Sequence, residues 1–397
     1  MNLLVNCPQH FDRTPDGQVW TNGQFPYSFW TRYLAVFDCV TVLARVRDVS
    51  ELSGERQAAS GAGVRFLCVH DYTGPGQYVL RAPAVAEAAR KAVQNGNAIL
   101  LRPPGEMAAW VLWHMRKSRR PYAVEVVADP YDVFGQNGVR HPLRPVFRWW
   151  FTRALKRQCA NACAAAYVTE RALQRRYPAA PDALVTHYSS IELPESALVS
   201  APRGARPNRT ARIIFVGTLA QLYKGPDVLI DALAKCRTHT DAELVIVGSG
   251  RHQTELEQRA KACGLGDRVW FRGQLTSPVN VRAELDRADL FVLPSRQEGL
   301  PRAMIEAMAR ALPCIGSNVG GIPELLPAED IVPPNDVPAL ASKIVEVLQQ
   351  PARMQQMSAR NLTKAGEYRD DVLNARRREF YQFLRNRTEA WQKGSEA

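Results

Sequence analysis

The chain has 397 residues, long enough for two domains of ordinary size. Its 46% hydrophobic and 23% charged residues describe a soluble globular protein carrying a formal net charge of +12. No window approaches ~20 consecutive apolar residues, which excludes a membrane-spanning helix. The opening residues, MNLLVNCPQHF, lack the basic and long apolar regions of a secretion signal and read as a first buried strand. Eight cysteines are scattered, several in apolar segments (Cys39, Cys68, Cys314). Cys159 and Cys163 lie one helical turn apart with no second Cys/His pair beside them, so core packing of free thiols is expected rather than a metal site.

In chain order, short β-branched or aliphatic runs alternate with helical patterns. Asp38 to Ala44, Val64 to Val69, Ala98 to Leu101 and Ala123 to Val127 are the strand candidates, and Ala84 to Gln94 and Met107 to Arg119 the helices between them. This alternation implies a parallel sheet covered by helices. Residues Gln9 to Gln24 read as a loop containing Asp16, Gly17, Trp20, Thr21 and Gly23, without the G-x-G-x-x-G fingerprint. Asp129 and Asp132 follow the strand ending at Val127, where polar groups face a ligand crevice, although Asp129 is equally suited to capping a turn. His114 lies in a helical stretch and reads as packing or exposed surface.

Arg116 to Arg176 holds 13 Lys/Arg against 4 Asp/Glu, a local net of +9. Phe147, Trp149, Trp150 and Phe151 interleave with these charges, and residues 147–157 form an amphipathic basic pattern. Two readings follow: a helix packed by its aromatic face with a solvated basic face, or a dock for an anionic membrane surface. No nucleic-acid motif accompanies it. Val185 to Ile191 is a strand end carrying Ser189 and Ser190. Ser196 to Thr210, rich in Pro, Gly and Arg, reads as a linker, with residues 201–210 separating domains 1–200 and 211–397.

The second half repeats the alternation more clearly. Ile213 to Val216 ends at Gly217-Thr218, and Lys224-Gly225 opens a helix running to about Cys236. A lysine at a helix N-terminus opposes the dipole unless an anion binds between them. Leu244 to Gly250 contains the glycine turn at Gly248, and helix Gln253 to Cys263 and strand Val269 to Gly273 follow. Leu290 to Leu293 is a buried strand, Ser295 to Pro301 a tight loop, Ala303 to Ala311 a helix with Pro301 at its first position, and Cys314 to Gly316 another strand. Helix Val337 to Gln349 and a charged helical tail, Met354 to Trp391, close the chain.

The stretch S-x-x-E-G-L-P-x-x-x-I-E-A-M-A, Ser295 to Ala309, followed by G-G-I-P-E at Gly320 to Glu324, resembles the donor-site signature of family-4 retaining glycosyltransferases of the GT-B fold. Their Glu-x7-Glu appears here as Glu298 and Glu306. The resemblance is strong over about Arg212 to Leu348 and faint before it. It implies two Rossmann-like doubly wound α/β domains facing a cleft, the first on the acceptor side and the second binding a nucleotide sugar, with the last helix crossing back to the first. It further implies donor contacts from Gly217, Thr218, Lys224, Gly248, Glu298, Gly299, Leu300, Pro301 and Glu306. Glu306 would take the ribose, Glu298 the sugar and Lys224 the diphosphate, with Asp129 a further catalytic candidate.

No Asp-x-Asp occurs in the expected form, so neither metal nor cofactor is expected beyond the nucleotide-sugar substrate. The family's arginine after the first glycine is Thr218 here, leaving Lys224 alone unless Arg296 or Arg302 substitutes. Its N-terminal glycine pair is missing, and Ser189-Ser190 replaces an Asn-Gly pair. The acceptor expected is a lipid-linked or cell-surface polysaccharide intermediate, reached from the cytoplasm at the inner face of a membrane. A GT-B scaffold that has lost catalysis is the alternative, and an epimerase or phosphorylase on the same fold a third reading without its own signatures.

Overall fold

The computed structural model describes residues 1–22, 25–54, 56–94, 97–135, 141–204, 210–275 and 277–395. The aliphatic runs of the first half form strands β1 (Asn2–Arg13), β2 (Val19–Thr21), β3 (Cys39–Asp48), β4 (Gln57–Ala58), β5 (Val64–His70), β6 (Ala98–Leu101), β7 (Ala123–Val126), β8 (Ala164–Tyr167) and β9 (Leu184–His187). Their parallel core runs β5-β3-β1-β6-β7-β8-β9, while β2 pairs antiparallel with both β1 and β4. The intervening helices are α1 (Tyr27–Leu34), α2 (Gly74–Gln94), α3 (Glu106–Met115), α4 (Pro130–Val133), α5 (Arg144–Ala160) and α6 (Ala172–Arg176).

The second half folds into β10 (Ala211–Val216), β11 (Ala242–Val247), β12 (Val269–Phe271), β13 (Leu290–Leu293), β14 (Cys314–Ser317) and β15 (Ile331–Val332). They lie in the order β12-β11-β10-β13-β14-β15, all parallel. Helices α7 (Pro226–Cys236), α8 (Gln253–Ala262), α9 (Pro278–Arg287), α10 (Arg302–Ala309), α11 (Ile322–Leu325), α12 (Val337–Leu348), α13 (Pro351–Gly366) and α14 (Asp370–Ser395) complete the chain. Strands such as β13 and β14 are buried at every position, because helices cover both faces. In each sheet the winding reverses once, at β1/β6 and at β10/β13. A crevice opens beyond the carboxyl ends of the strands at such a switch point.

Several expectations need correction. The Gln9–Gln24 loop is largely a hairpin: β1 continues to Arg13 because Phe11 is core, Thr14 and Gly17 make the turn, and β2 returns through Trp20 and Thr21. Gly23 and Gln24 lie outside the described residues. Helix α2 begins ten residues before Ala84 and runs through Pro83. Helix α10 stops at Ala309, where Ala311 turns left-handed (φ 54°) just before Pro313, and Pro301 precedes the helix as its cap. The charged tail is two helices. Between them the chain ties to the first half, where Asp370 N donates to Leu193 O (3.0 Å) and Leu193 N to Asp370 Oδ1 (2.7 Å).

The segment read as a linker is also docked, in the part that is described. Arg203 Nε donates to Arg310 O (2.7 Å) and Nη1 to Ala288 O (2.7 Å), so its guanidinium collects free carbonyls at the ends of α9 and α10. Residues 205–209 lie outside the described residues. Helix α14 packs against β6, β8 and β9, with Phe380, Tyr381 and Leu384 fully buried.

Candidate active site

The loops beyond β10 and β13 meet at the second switch point. Gly217 follows β10, and its N–H donates to Val247 O (2.9 Å). Gly248 holds φ 141°, and a Cβ there would lie 1.8 Å from Gly217 O, so no other residue lets the two strand ends come this close. Gly225 (φ 71°) caps α7 in the left-handed region, with Pro294 O 2.1 Å from where its Cβ would be. These approaches bring the N-terminus of α7 beside the Ser295–Pro301 loop.

Lys224 Nζ lies 2.7 Å from Glu298 Oε1, and Ser295 Oγ donates to the same oxygen at 3.0 Å. Both side chains of the ion pair are mostly buried. Glu298 Oε2 has no partner among the described residues, so one carboxylate oxygen is held and the other is left available. The Glu298 loop is itself supported by its neighbours: Gly320 N-terminal to α11 approaches Glu298 O, and Gly321 N donates to Gly299 O (2.6 Å). Leu300 is buried beneath the loop.

The side chain of Glu306, in the middle of α10, makes no hydrogen bond among the described residues. Burial pushes its carboxyl above the usual 4.5, against the opposing charges of Arg302 and Arg282. Of the two arginines near enough in the chain to replace the one missing at position 218, Arg296 is committed: its guanidinium grips Asp227 (2.6 and 2.8 Å) and Asn335 (2.6 Å). Arg302, exposed at the first position of α10, has no ion-pair partner among the described residues and acts electrostatically on both Tyr223 and Glu306. Thr218 is exposed, and its hydroxyl accepts from Ala220 N (3.1 Å), capping the turn after β10.

Asp129 is more constrained than a free catalytic group. It caps α4 by accepting from Tyr131 N (2.9 Å), accepts from the Tyr177 hydroxyl, and pairs with Arg176. Its observed work is holding the segment after β7. That segment does face the second domain: a Cβ on Gly299 would lie 3.2 Å from Val127 O. His114 bonds Ala86 O (3.0 Å), the packing role expected of it.

Two features escaped the sequence reading. Glu324 reaches across to the first domain, where its carboxylate accepts from the N–H groups of Glu170 (2.6 Å), Arg171 (2.9 Å) and Ala172 (2.7 Å) at the start of α6. Behind the first switch point, Glu125 accepts from Tyr33 (3.0 Å), Tyr188 (2.8 Å) and Tyr381 (3.0 Å) and pairs with Arg102. Burial alone would raise this carboxyl. The arginine and the hydroxyls outweigh it and hold the pKa below 4.5. The only early signal was a glutamate inside an apolar strand.

Two doubly wound domains, with a carboxylate pair and a lysine at the switch point of the second, have the architecture of the GT-B fold. Residues 210–350 match the family described as glycosyl transferases group 1. Protein CapJ of Staphylococcus aureus is 26% identical over 324 residues, 81% of this chain and 80% of that one. A GDP-mannose-dependent monoacylated alpha-(1-6)-phosphatidylinositol monomannoside mannosyltransferase of Corynebacterium glutamicum is 36% identical over 146 residues, 34% of this chain and 38% of that protein. The solved sucrose-phosphate synthase of Thermosynechococcus elongatus superposes with a TM-score of 0.71 at 18% identity, covering 97% of this chain and 99% of that one, a likeness of fold. The chain is a nucleotide-sugar-dependent glycosyltransferase of the GT-B fold, and the family match lies within its second domain.

Proposed function

We propose that the protein moves a sugar from a nucleoside diphosphate donor, with retention of anomeric configuration and without a metal, to a lipid-linked or cell-surface polysaccharide intermediate. The observation that carries this is Glu306: a part-buried carboxyl whose side chain has no protein partner among the described residues, eight residues beyond a second carboxylate already oriented by Lys224 and Ser295. A carboxylate partly withdrawn from water gains from a ligand that supplies donors, and the vicinal hydroxyls of a ribose supply two.

In this reading the nucleotide lies against α10 with its ribose on Glu306. The sugar sits over the Gly299–Leu300 turn, with a hydroxyl on the open Oε2 of Glu298. Lys224, Arg302 and the N-termini of α7 and α10 face the diphosphate. Their positive ends stabilise the charge that develops as the glycosidic bond breaks, a contribution of about 3 kcal/mol per well-placed donor. Attack by the acceptor hydroxyl on the face the diphosphate leaves would retain configuration. Asp129 serves by fixing the acceptor-side segment.

The acceptor reading rests on α5 and on the Corynebacterium relative, whose name includes a phosphatidylinositol monomannoside. Phe147 and Phe151 pack inward on Phe134, whereas Trp149 and Trp150 are 61% and 62% exposed, with the Arg153 guanidinium over the Trp149 ring. The tryptophans therefore join the basic exterior instead of packing the helix, the arrangement that suits peripheral attachment to an anionic membrane at its cytoplasmic face. No helix among the described residues is long and apolar enough to cross one.

The test is donor binding and hydrolysis across a panel of nucleotide sugars, for wild type and Glu306→Ala, with and without chelator. One donor should bind saturably, lose at least ~10-fold in affinity in the mutant, as expected for a lost charge-assisted pair of hydrogen bonds, and ignore the chelator. Absence of any donor binding would favour the scaffold reading, with Thr218→Arg the next variant to examine.

A further inference from the structure

A cavity of about 550 Å³ lies between α4 and α5, lined by Tyr131, Arg144, Arg148, Trp149, Arg153 and Lys156 among others, with no acidic side chain in its wall. One of its cations is already fixed in place: Arg148 Nε donates to Tyr131 O (2.9 Å), and its guanidinium lies 3.5 Å from the centroid of the Tyr131 ring. Arg153 and Lys156 are exposed and form no ion pair among the described residues. Asp132 on α4 interacts with Arg148, and no acidic side chain among the described residues lines the cavity itself, so an anion bound there would offset repulsion among its cations.

The cavity also has a position. Tyr131 is four residues beyond Val127, whose carbonyl meets the Gly299 turn of the donor site. The outer wall is Trp149, and Trp150 stands exposed beside it on the same helix. A row of cations flanked by exposed indoles matches a ligand with a phosphate group and an apolar chain.

We propose that this cavity holds the diphosphate of a lipid-linked acceptor, with Trp149 and Trp150 against the lipid and the sugar end directed toward Gly299. The proposal rests on the transferase reading for the identity of the acceptor, and on the cavity alone for the binding of a lipid diphosphate.

The experiment titrates the full chain with farnesyl diphosphate, with farnesol and inorganic pyrophosphate as controls, by calorimetry and tryptophan fluorescence. The variants are Arg153→Glu/Lys156→Glu and, as a control for overall surface charge, Arg157→Glu, which is exposed on the same helix but outside the cavity. Farnesyl diphosphate should saturate at one equivalent, pyrophosphate should compete and farnesol should not bind. The double variant should weaken binding by about 30-fold or more, as for two charge-assisted contacts, and Arg157→Glu by less than about 3-fold. Farnesyl diphosphate that fails to saturate overturns the proposal. So does an equal loss in Arg157→Glu, which would assign binding to diffuse attraction between this face and a polyanion or anionic bilayer. Donor binding measured on the same samples separates the two readings. Farnesyl diphosphate binding in a wild type that binds no nucleotide sugar would keep the cavity and remove the transferase.

Discussion

Glu306 carries the sharpest residue-scale prediction. Its carboxyl is raised by burial, so protonation begins at a higher pH than for an ordinary side chain of 4.5. A raised carboxyl favours the protonated folded state, so this group contributes less to stability as pH rises through its folded pKa, while the ribose contact proposed for it needs the ionised form. Donor affinity should therefore fall as pH is lowered at values above 4.5, and Glu306→Gln should flatten that limb; titrations at a series of pH values read it directly. Gly248 gives a stability prediction. Alanine there would place a methyl 1.8 Å from Gly217 O at a φ of 141°. The melting temperature of Gly248→Ala should drop by several degrees, from a cost of about 3 kcal/mol or more. The spacing from Glu298 to Glu306 was visible in the chain. That Arg296 is bound to Asp227 while Arg302 has no ion-pair partner among the described residues was not, because both arginines neighbour the motif in sequence and only the packing of α7 separates them.

Among the elements, α14 is anchored by polar as well as apolar contacts. Tyr381 donates to Glu125, a residue 256 positions earlier, and Tyr33 and Tyr188 reach the same carboxylate from separations of 92 and 63. Tyr381→Phe removes one donor from a buried charge and should cost about 1.5–3 kcal/mol. Glu125→Gln leaves Arg102 buried without its counter-ion and should cost more, about 3–5 kcal/mol. Chemical denaturation of both variants tests the order. No local pattern marks such a cluster, since its members come from α1, β7 and α14 and from the loops after β6 and β9. By contrast, α7, β13, α10 and α12 could be placed from the chain because apolar periodicity and Gly/Pro punctuation agree there. In α5 the helix could be placed but its aromatic face left two readings open, and the structure divides that face. Phenylalanines pack and tryptophans do not, a choice made by Phe134 on a neighbouring element.

Across the molecule, the donor loop and the first domain are in direct contact. Gly299 faces Val127 O, Gly321 faces Thr169, and Glu324 satisfies three N–H groups at the start of α6. Glu324→Ala should leave those donors unpaired and loosen the contact between domains. Faster hydrogen exchange at Arg171 and Ala172, with a lower transfer rate at unchanged donor affinity, is the expected result. A mutant that loses donor affinity equally would place Glu324 in the donor site instead. The alternation that makes two parallel sheets, and the donor motif, are legible along the chain because strand burial, helix periodicity and glycine turns are local. Which charges are free to meet a ligand is set by long-range packing. Burial, pairing and desolvation depend on residues tens to hundreds of positions apart, and they engaged Asp129 and Arg296 while leaving Glu306, Arg302, Arg153 and Lys156 open.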